Sequence, residues 1–109
     1  MRWQNPFSPD KILPVWAGLC IGRADGSDPQ YPEGQKHAML AMVRARDSDA
    51  ENAICSLLRS KGWSHAELRK LKLLDEPFHS DDPIMLTCYE NAANKQGGIV
   101  IYSDAIEED

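Results

Sequence analysis

The sequence has no long apolar run, and this absence argues against a membrane protein. Its mainly apolar stretch at residues 14–21 is far shorter than the roughly 18 residues that a membrane-spanning helix needs. The same stretch has no cleavage-site pattern, and the first residues, MRWQNPFSPDK, contain no apolar signal segment. We therefore expect a cytoplasmic protein without a membrane segment.

Motifs for catalysis and metal binding are also missing. There is no C-x-x-C or H-x-x-x-H pair, no phosphate-binding glycine loop and no serine-hydrolase or kinase signature. The three cysteines, Cys20, Cys55 and Cys88, are widely spaced among apolar residues, which is typical of buried, reduced thiols. We expect no metal and no cofactor, although a Cys–His pair that meets only in the folded chain stays an open alternative.

Residues 38–74 contain the clearest secondary structure, a helix between two strands. Ser48 and Glu51 have the S-x-x-E spacing of a capping box, and Gly62 stands where a left-handed residue ends a helix. Trp63 follows at the position that packs back on the last turn. The predicted buried face of this helix consists of Ala50, Ala53, Ile54, Leu57 and Leu58.

Apolar patterning predicts four strands, which are residues 14–24, 38–46, 66–74 and 99–102. The third is ambiguous, because Ser64 and Glu67 form a second capping-box match and the residues that follow are good helix formers. We prefer the strand, since the strand before the first helix needs a partner after it. Residues 24–36 contain two prolines and two glycines and predict a loop.

A second helix is predicted after a turn-rich linker at residues 75–82. Asp81 or Asp82 can cap this helix, Pro83 fits its first turn, and a Gly-Gly pair at residues 97–98 ends it. Its predicted apolar face consists of Ile84, Met85, Cys88, Tyr89, Ala92 and Ala93.

The resulting order is β-β-α-β-α-β in a single domain of 109 residues. Two right-handed crossovers would put both helices on one face of a four-stranded mixed sheet, a two-layer sandwich of the α+β or α/β class. Residues 1–13 are expected to form an irregular arm and residues 104–109 an acidic tail. The open face of the sheet would then contact the arm, a partner, or a second copy in a homodimer.

Charge is distributed unevenly along the chain, whose net charge is −5. Residues 1–74 contain 11 Lys/Arg and 8 Asp/Glu, whereas residues 75–109 contain only Lys95 and 9 Asp/Glu. We interpret the acidic part as a docking surface for a basic protein, because such a charge split concerns partners rather than fold. Its candidate residues are Asp75, Glu76, Asp81, Asp82, Asp104, Glu107 and Glu108.

An anion-binding site is the alternative interpretation of the charges. If residues 38–46 and 66–74 were neighbouring parallel strands, their ends and the start of the first helix would meet at one edge of the sheet. This edge is where α/β folds hold phosphate groups. The candidate residues for such a site are Arg44, Arg46, Ser48, Lys70 and Lys72.

The sequence therefore favours a small acidic cytoplasmic interaction protein over an enzyme. We expect an inhibitor or immunity-type protein that docks onto a basic, nucleic-acid-processing protein, an analogy of size and charge alone. The alternative is a domain that binds a small molecule or a nucleotide, with or without enzymatic activity. Direct nucleic-acid binding is not expected, because the net negative charge repels phosphate.

Overall fold

A computed structural model describes residues 13–106 of the chain, and within them the side chains up to residue 102. The elements are β1 (Val15–Ala24), β2 (Lys36–Arg44), α1 (Ala50–Ser60), β3 (Trp63–Leu73), α2 (Pro83–Asn94) and β4 (Gly98–Ile106). The predicted order is confirmed, as is the α+β arrangement of helices packed on a four-stranded sheet. Most of the predicted N-terminal arm, together with Glu107, Glu108 and Asp109, lies outside the described residues.

The four strands form one antiparallel sheet in the order β3-β1-β2-β4. β1 and β2 are a hairpin that pairs Val15 with Arg44 and Arg23 with Lys36. β3 pairs with the free side of β1, so β2 and β3 run in the same direction but β1 lies between them. The prediction of a mixed sheet is therefore corrected, because α1 crosses over β1 instead of joining neighbouring parallel strands.

The two helices pack on opposite faces of the sheet, which corrects the prediction that they share one face. Neighbouring residues of a strand point to opposite sides. In β2, Met39, Ala41 and Val43 pack in the cluster that contains α1, whereas Met42 packs with Cys88 of α2. The handedness rule does not apply to α2, because β4 is antiparallel to β3. We call the two sides the α1 face and the α2 face.

The predicted face of α1 is confirmed, but its predicted N-terminal cap is wrong. Ile54 and Leu58 are fully buried in the core, and Gly62 has the expected positive φ of 94° after the last turn. Ser48 makes no capping hydrogen bond, because it lies within a short 3-10 turn, Asp47–Asp49, that leads into the helix. Backbone hydrogen bonds form this 3-10 turn directly before α1. The S-x-x-E spacing of Ser48 and Glu51 therefore has no capping role here.

The predicted start of α2 is confirmed in atomic detail. The Oδ1 atom of Asp82 accepts a hydrogen bond of 2.9 Å from the backbone N–H of Ile84, with Pro83 between them in the first turn. One member of the predicted apolar face is wrong, because Ile84 is 60% exposed. Cys88 and Ala92, in contrast, are buried against the sheet, and Met85 and Tyr89 pack beside them, so α2 packs through the stripe that these four residues form.

β3 is a strand, as preferred from the sequence, and it forms one edge of the sheet. Its pairing with β1 is interrupted by two irregularities, one between Leu19 and Cys20 and one between Ile21 and Arg23. The second of these includes His65, which has a positive φ of 50°. Neither helix in the described part of the chain is long and apolar enough to cross a membrane.

The loop at residues 25–35 covers one end of the α1 face. The ring of Tyr31 lies 5.1 Å from the rings of both His37 and Trp63, measured between centroids. His37 is buried, and its Nδ1 atom donates a hydrogen bond of 2.8 Å to the carbonyl oxygen of Tyr102. These contacts attach the loop to the core and connect β2 with β4.

Candidate functional site

The structure divides the predicted acidic residues among separate places. Asp75 and Glu76 lie in the loop after β3, Asp81 and Asp82 lie at the start of α2, and Asp104 belongs to β4. Glu107 and Glu108 lie outside the described residues. Among the described residues, Asp75 and Glu76 form one exposed pair and Asp81 and Asp82 form another, so the predicted residues belong to different elements of the fold.

Glu76 forms an ion pair with Arg44 inside the protein's own fold. Both of its carboxylate oxygens accept hydrogen bonds from the guanidinium group of Arg44, at 3.2 and 3.0 Å, and Oε2 also accepts one from the hydroxyl of Tyr89. Partial burial opposes ionisation, but the hydrogen bonds outweigh it and hold the pKa of Glu76 below its ordinary value. The hydrogen bond to Glu76, followed by burial, raises the pKa of Tyr89.

Arg44 holds three parts of the chain together. In addition to its hydrogen bonds with Glu76, Arg44 donates hydrogen bonds to the carbonyl oxygen of Leu13, before β1, and to that of Ala93, near the end of α2. Phe78 stacks on Tyr89 beside this network, with ring centroids 5.0 Å apart. Arg44 and Glu76 therefore serve the fold, and neither is free to bind an external ion.

The other residues of the predicted anion site do not converge. Arg46 and Ser48 follow β2, whereas Lys70 and Lys72 lie on β3, and β1 separates the two strands. Lys70 and Lys72 pair with Leu19 and Ala17 of β1 and so lie on the α2 face, on the opposite side of the sheet from α1. The neighbouring parallel strands on which this site depended are absent from the described sheet.

The exposed sides of α2 form the most distinctive surface of the described residues. Ile84 is 60% and Leu86 is 36% exposed, although both are large apolar side chains, and their spacing puts them on two different sides of the helix. The exposed carboxylates of Asp81 and Asp82 precede them, and Glu90 follows one turn after Leu86. Residues 81–94 contain no Lys, Arg or His. We define the α2 surface as Asp81, Asp82, Ile84, Leu86 and Glu90.

A groove runs beside this surface, between α2 and the edge strand β4. Its volume is about 310 Å³, and its walls include Ile84, Thr87 and Asn91 of α2 and Ile99 and Val100 of β4. Through Ile99 and Val100 in its walls, the groove extends the exposed apolar surface from Ile84 onto β4. The α2 surface therefore has Ile84 and this recess on one side of the helix, Leu86 and Glu90 on the other side, and Asp81 and Asp82 at its N-terminal end.

No family model, curated protein or solved structure matches the chain. Among the described residues there is also no group of three or more His, Cys, Asp or Glu side chains placed to hold a metal ion.

Sequence patterns indicated part of the α2 surface and missed the rest. Asp81 and Asp82 were predicted, since they belong to the acidic part of the chain. The spacing of Ile84 from Cys88 is that of a helical stripe and predicts a buried position, which is wrong because Ile84 is exposed. Leu86 lies off that stripe, and an apolar residue on the polar side of an amphipathic helix is the signal that was available for it.

The cysteines should react slowly with a thiol reagent in the folded protein. Burial raises the pKa of Cys20 to about 11, with a smaller contribution from the nearby Cys55, and burial also raises the pKa of Cys88 to about 11. Thiolate is the reactive form, so we expect both to be labelled at neutral pH only as fast as the protein unfolds. Labelling with and without denaturant, followed by mass spectrometry, measures this; rapid labelling of either in the native protein would contradict their inertness.

Proposed function

We propose that this chain is a small non-enzymatic interaction protein that docks onto a basic protein partner through the α2 surface. The observation that supports the proposal is the exposure of Ile84 beside the groove, on a helix whose residues 81–94 include carboxylates and no Lys, Arg or His. The partner is a protein with a cationic surface and an apolar side chain that fits beside Ile84. We infer that the interaction occurs in the cytoplasm and that it inhibits the partner, as an immunity-type protein does.

The two kinds of side chain on the α2 surface would act differently in binding. Apolar side chains that become fully buried at the centre of an interface supply most of its binding free energy. Carboxylates at the border attract a cationic partner over a distance and raise the association rate. The phosphate-binding alternative has less support, because Arg44 is engaged with Glu76 and the other candidate cations are apart.

Removing the carboxylates of the α2 surface should abolish capture of the partner without unfolding the protein. The variant is Asp81→Asn, Asp82→Asn and Glu90→Gln. Asparagine at residue 82 preserves the helix cap, because its side-chain oxygen accepts the same hydrogen bond. We expect proteins retained from a native extract at low salt by the wild type to be lost by this variant, as measured by quantitative mass spectrometry.

A matched variant controls for net charge in this experiment. Asp47→Asn, Asp49→Asn and Glu51→Gln remove the same number of exposed carboxylates near the start of α1, away from α2. We expect this control to retain the partner. Equal loss from both variants would show that only overall charge matters, and it would refute the assignment of the α2 surface. Loss from neither would refute it as well.

A further inference from the structure

A second feature of the surface is the last part of β3. This edge strand is exposed continuously from Arg69 to its end, on both faces of the sheet. Leu71 and Leu73, which are 36% and 50% exposed, lie on the α1 face, and Lys70 and Lys72 lie on the α2 face. We call residues 70–73 the β3 edge segment.

The β3 edge segment is the regular part of its strand. Residues 70–73 pair one to one with Leu19, Gly18, Ala17 and Trp16 of β1, whereas both irregularities of the β1–β3 ladder lie in the earlier part of β3. Bulges twist an edge away and disrupt its row of hydrogen-bonding groups, which protects it from pairing. Residues 70–73 lack this protection, so their outward backbone groups can pair with another strand.

The charges of the segment specify what kind of strand fits it. In the described part of the chain Arg69 pairs with Glu67 at 3.0 Å, whereas neither Lys70 nor Lys72 has a carboxylate within ion-pair distance. A strand added at this edge would place alternate side chains beside the two lysines on one face and beside the two leucines on the other.

We propose that the β3 edge segment binds an extended peptide segment in which acidic and apolar residues alternate, as a fifth strand of the sheet. Backbone hydrogen bonds would supply general affinity for an extended segment, and the lysine–carboxylate and leucine–apolar pairs would supply its selectivity. The partner is therefore an acidic, extended part of another protein. This interaction does not depend on the α2 surface, with which the segment shares no residue.

A second copy of the chain fits this edge poorly. If the β3 strands of two copies paired about a two-fold axis, the lysines of one copy would face those of the other. Directly opposed like charges destabilise a strand pair, and lysine on an edge strand is a common protection against such pairing. The same lysines that disfavour self-association favour an acidic strand.

Binding can be tested with a fluorescently labelled peptide of about six residues that alternates Glu and Val, a length that matches a typical strand. Fluorescence anisotropy with the full-length protein at low salt measures its affinity. We expect saturable binding that weakens at high salt, and no binding of the matched Lys/Val peptide. N-methylation of alternate residues of the Glu/Val peptide should abolish binding, because it removes backbone donors while leaving the side-chain charges unchanged.

Charge reversal separates the β3 edge segment from general surface charge. The variant Lys70→Glu, Lys72→Glu should bind the Glu/Val peptide at least about tenfold more weakly, a loss of about 1.4 kcal/mol, and should gain binding of the Lys/Val peptide. The control variant Lys61→Glu, Lys95→Glu makes the same change in net charge at exposed positions outside β3 and should bind like the wild type. Unselective binding, binding that survives N-methylation, or a concentration-dependent dimer that Lys70→Glu, Lys72→Glu abolishes would each overturn the proposal.

Discussion

Replacing Gly98 with alanine should prevent α2 from packing on the sheet and should destabilise the fold by about 3 kcal/mol or more. A Cβ atom at this position would overlap the carbonyl oxygen of Cys88 and lie 2.8 Å from its Cα atom. These are backbone atoms of a helix, so the clash is relieved only if the whole of α2 moves away from β2 and β4. Gly98 is therefore a contact point between helix and sheet as well as the end of a turn.

The measurement is urea unfolding of Gly98→Ala, with Gly34→Ala as the matched control. Gly34 has a positive φ of 85°, but a Cβ atom added there would have no neighbouring atom within 4 Å, so its replacement adds backbone strain without a clash. We expect the control to lose only about 1 kcal/mol. A free energy of unfolding for Gly98→Ala that is no lower than that of the control would contradict the close packing of α2.

Truncating Ile54 to alanine should have the second large effect, a loss of about 2 to 5 kcal/mol of unfolding free energy. Ile54 is fully buried on the α1 face, and its Cδ1 atom fills the space above Gly18, where it would lie 2.7 Å from an added Cβ atom. Removing the side chain therefore leaves a cavity between α1 and β1. Thermal and urea unfolding measure the loss, and Leu86→Ala, at a 36% exposed position, should cost much less.

The contact between Ile54 and Gly18 gives this prediction a specific test. Gly18→Ala alone should destabilise the protein, because the new methyl group meets Ile54 and Leu68. In the double variant Gly18→Ala, Ile54→Val, the smaller valine leaves room for that methyl group. We expect the double variant to be more stable than the sum of the two single effects predicts. Strict additivity would show that α1 does not approach β1 at this point.

The sequence predicted the helix ends correctly where the type of a single residue determines the local backbone conformation. Gly62 ends α1 with a positive φ, and Asp82 with Pro83 begins α2, as their types and positions indicated. The spacing of Ser48 and Glu51 was misleading, because a capping box also requires the backbone conformation of a cap, and here a 3-10 turn precedes the helix. Spacing alone does not specify that conformation.

The arrangement of the elements depends on long-range contacts that the sequence does not reveal. β1 lies between β2 and β3, although β2 and β3 flank the same helix along the chain. The pairing of Arg44 with Glu76 connects residues 32 positions apart and removes one member from each predicted site. Ile84 is exposed although Met85, the next residue in the first turn of α2, packs on the core, which helical spacing could not show. Charge predicted Asp81 and Asp82, and the position of Leu86 off the apolar stripe was a usable signal, but the exposure of Ile84 became recognisable only in the fold.

The most direct test of the proposed docking is the salt dependence of the association rate between this chain and a partner captured through the α2 surface. Stopped-flow measurements compare the wild type with Asp81→Asn, Asp82→Asn, Glu90→Gln over a range of ionic strength. We predict a wild-type rate constant that falls steeply with salt and a variant rate constant that is lower at low salt and nearly independent of it. The same steep dependence in both proteins would contradict the proposal that the carboxylates of the α2 surface guide the partner.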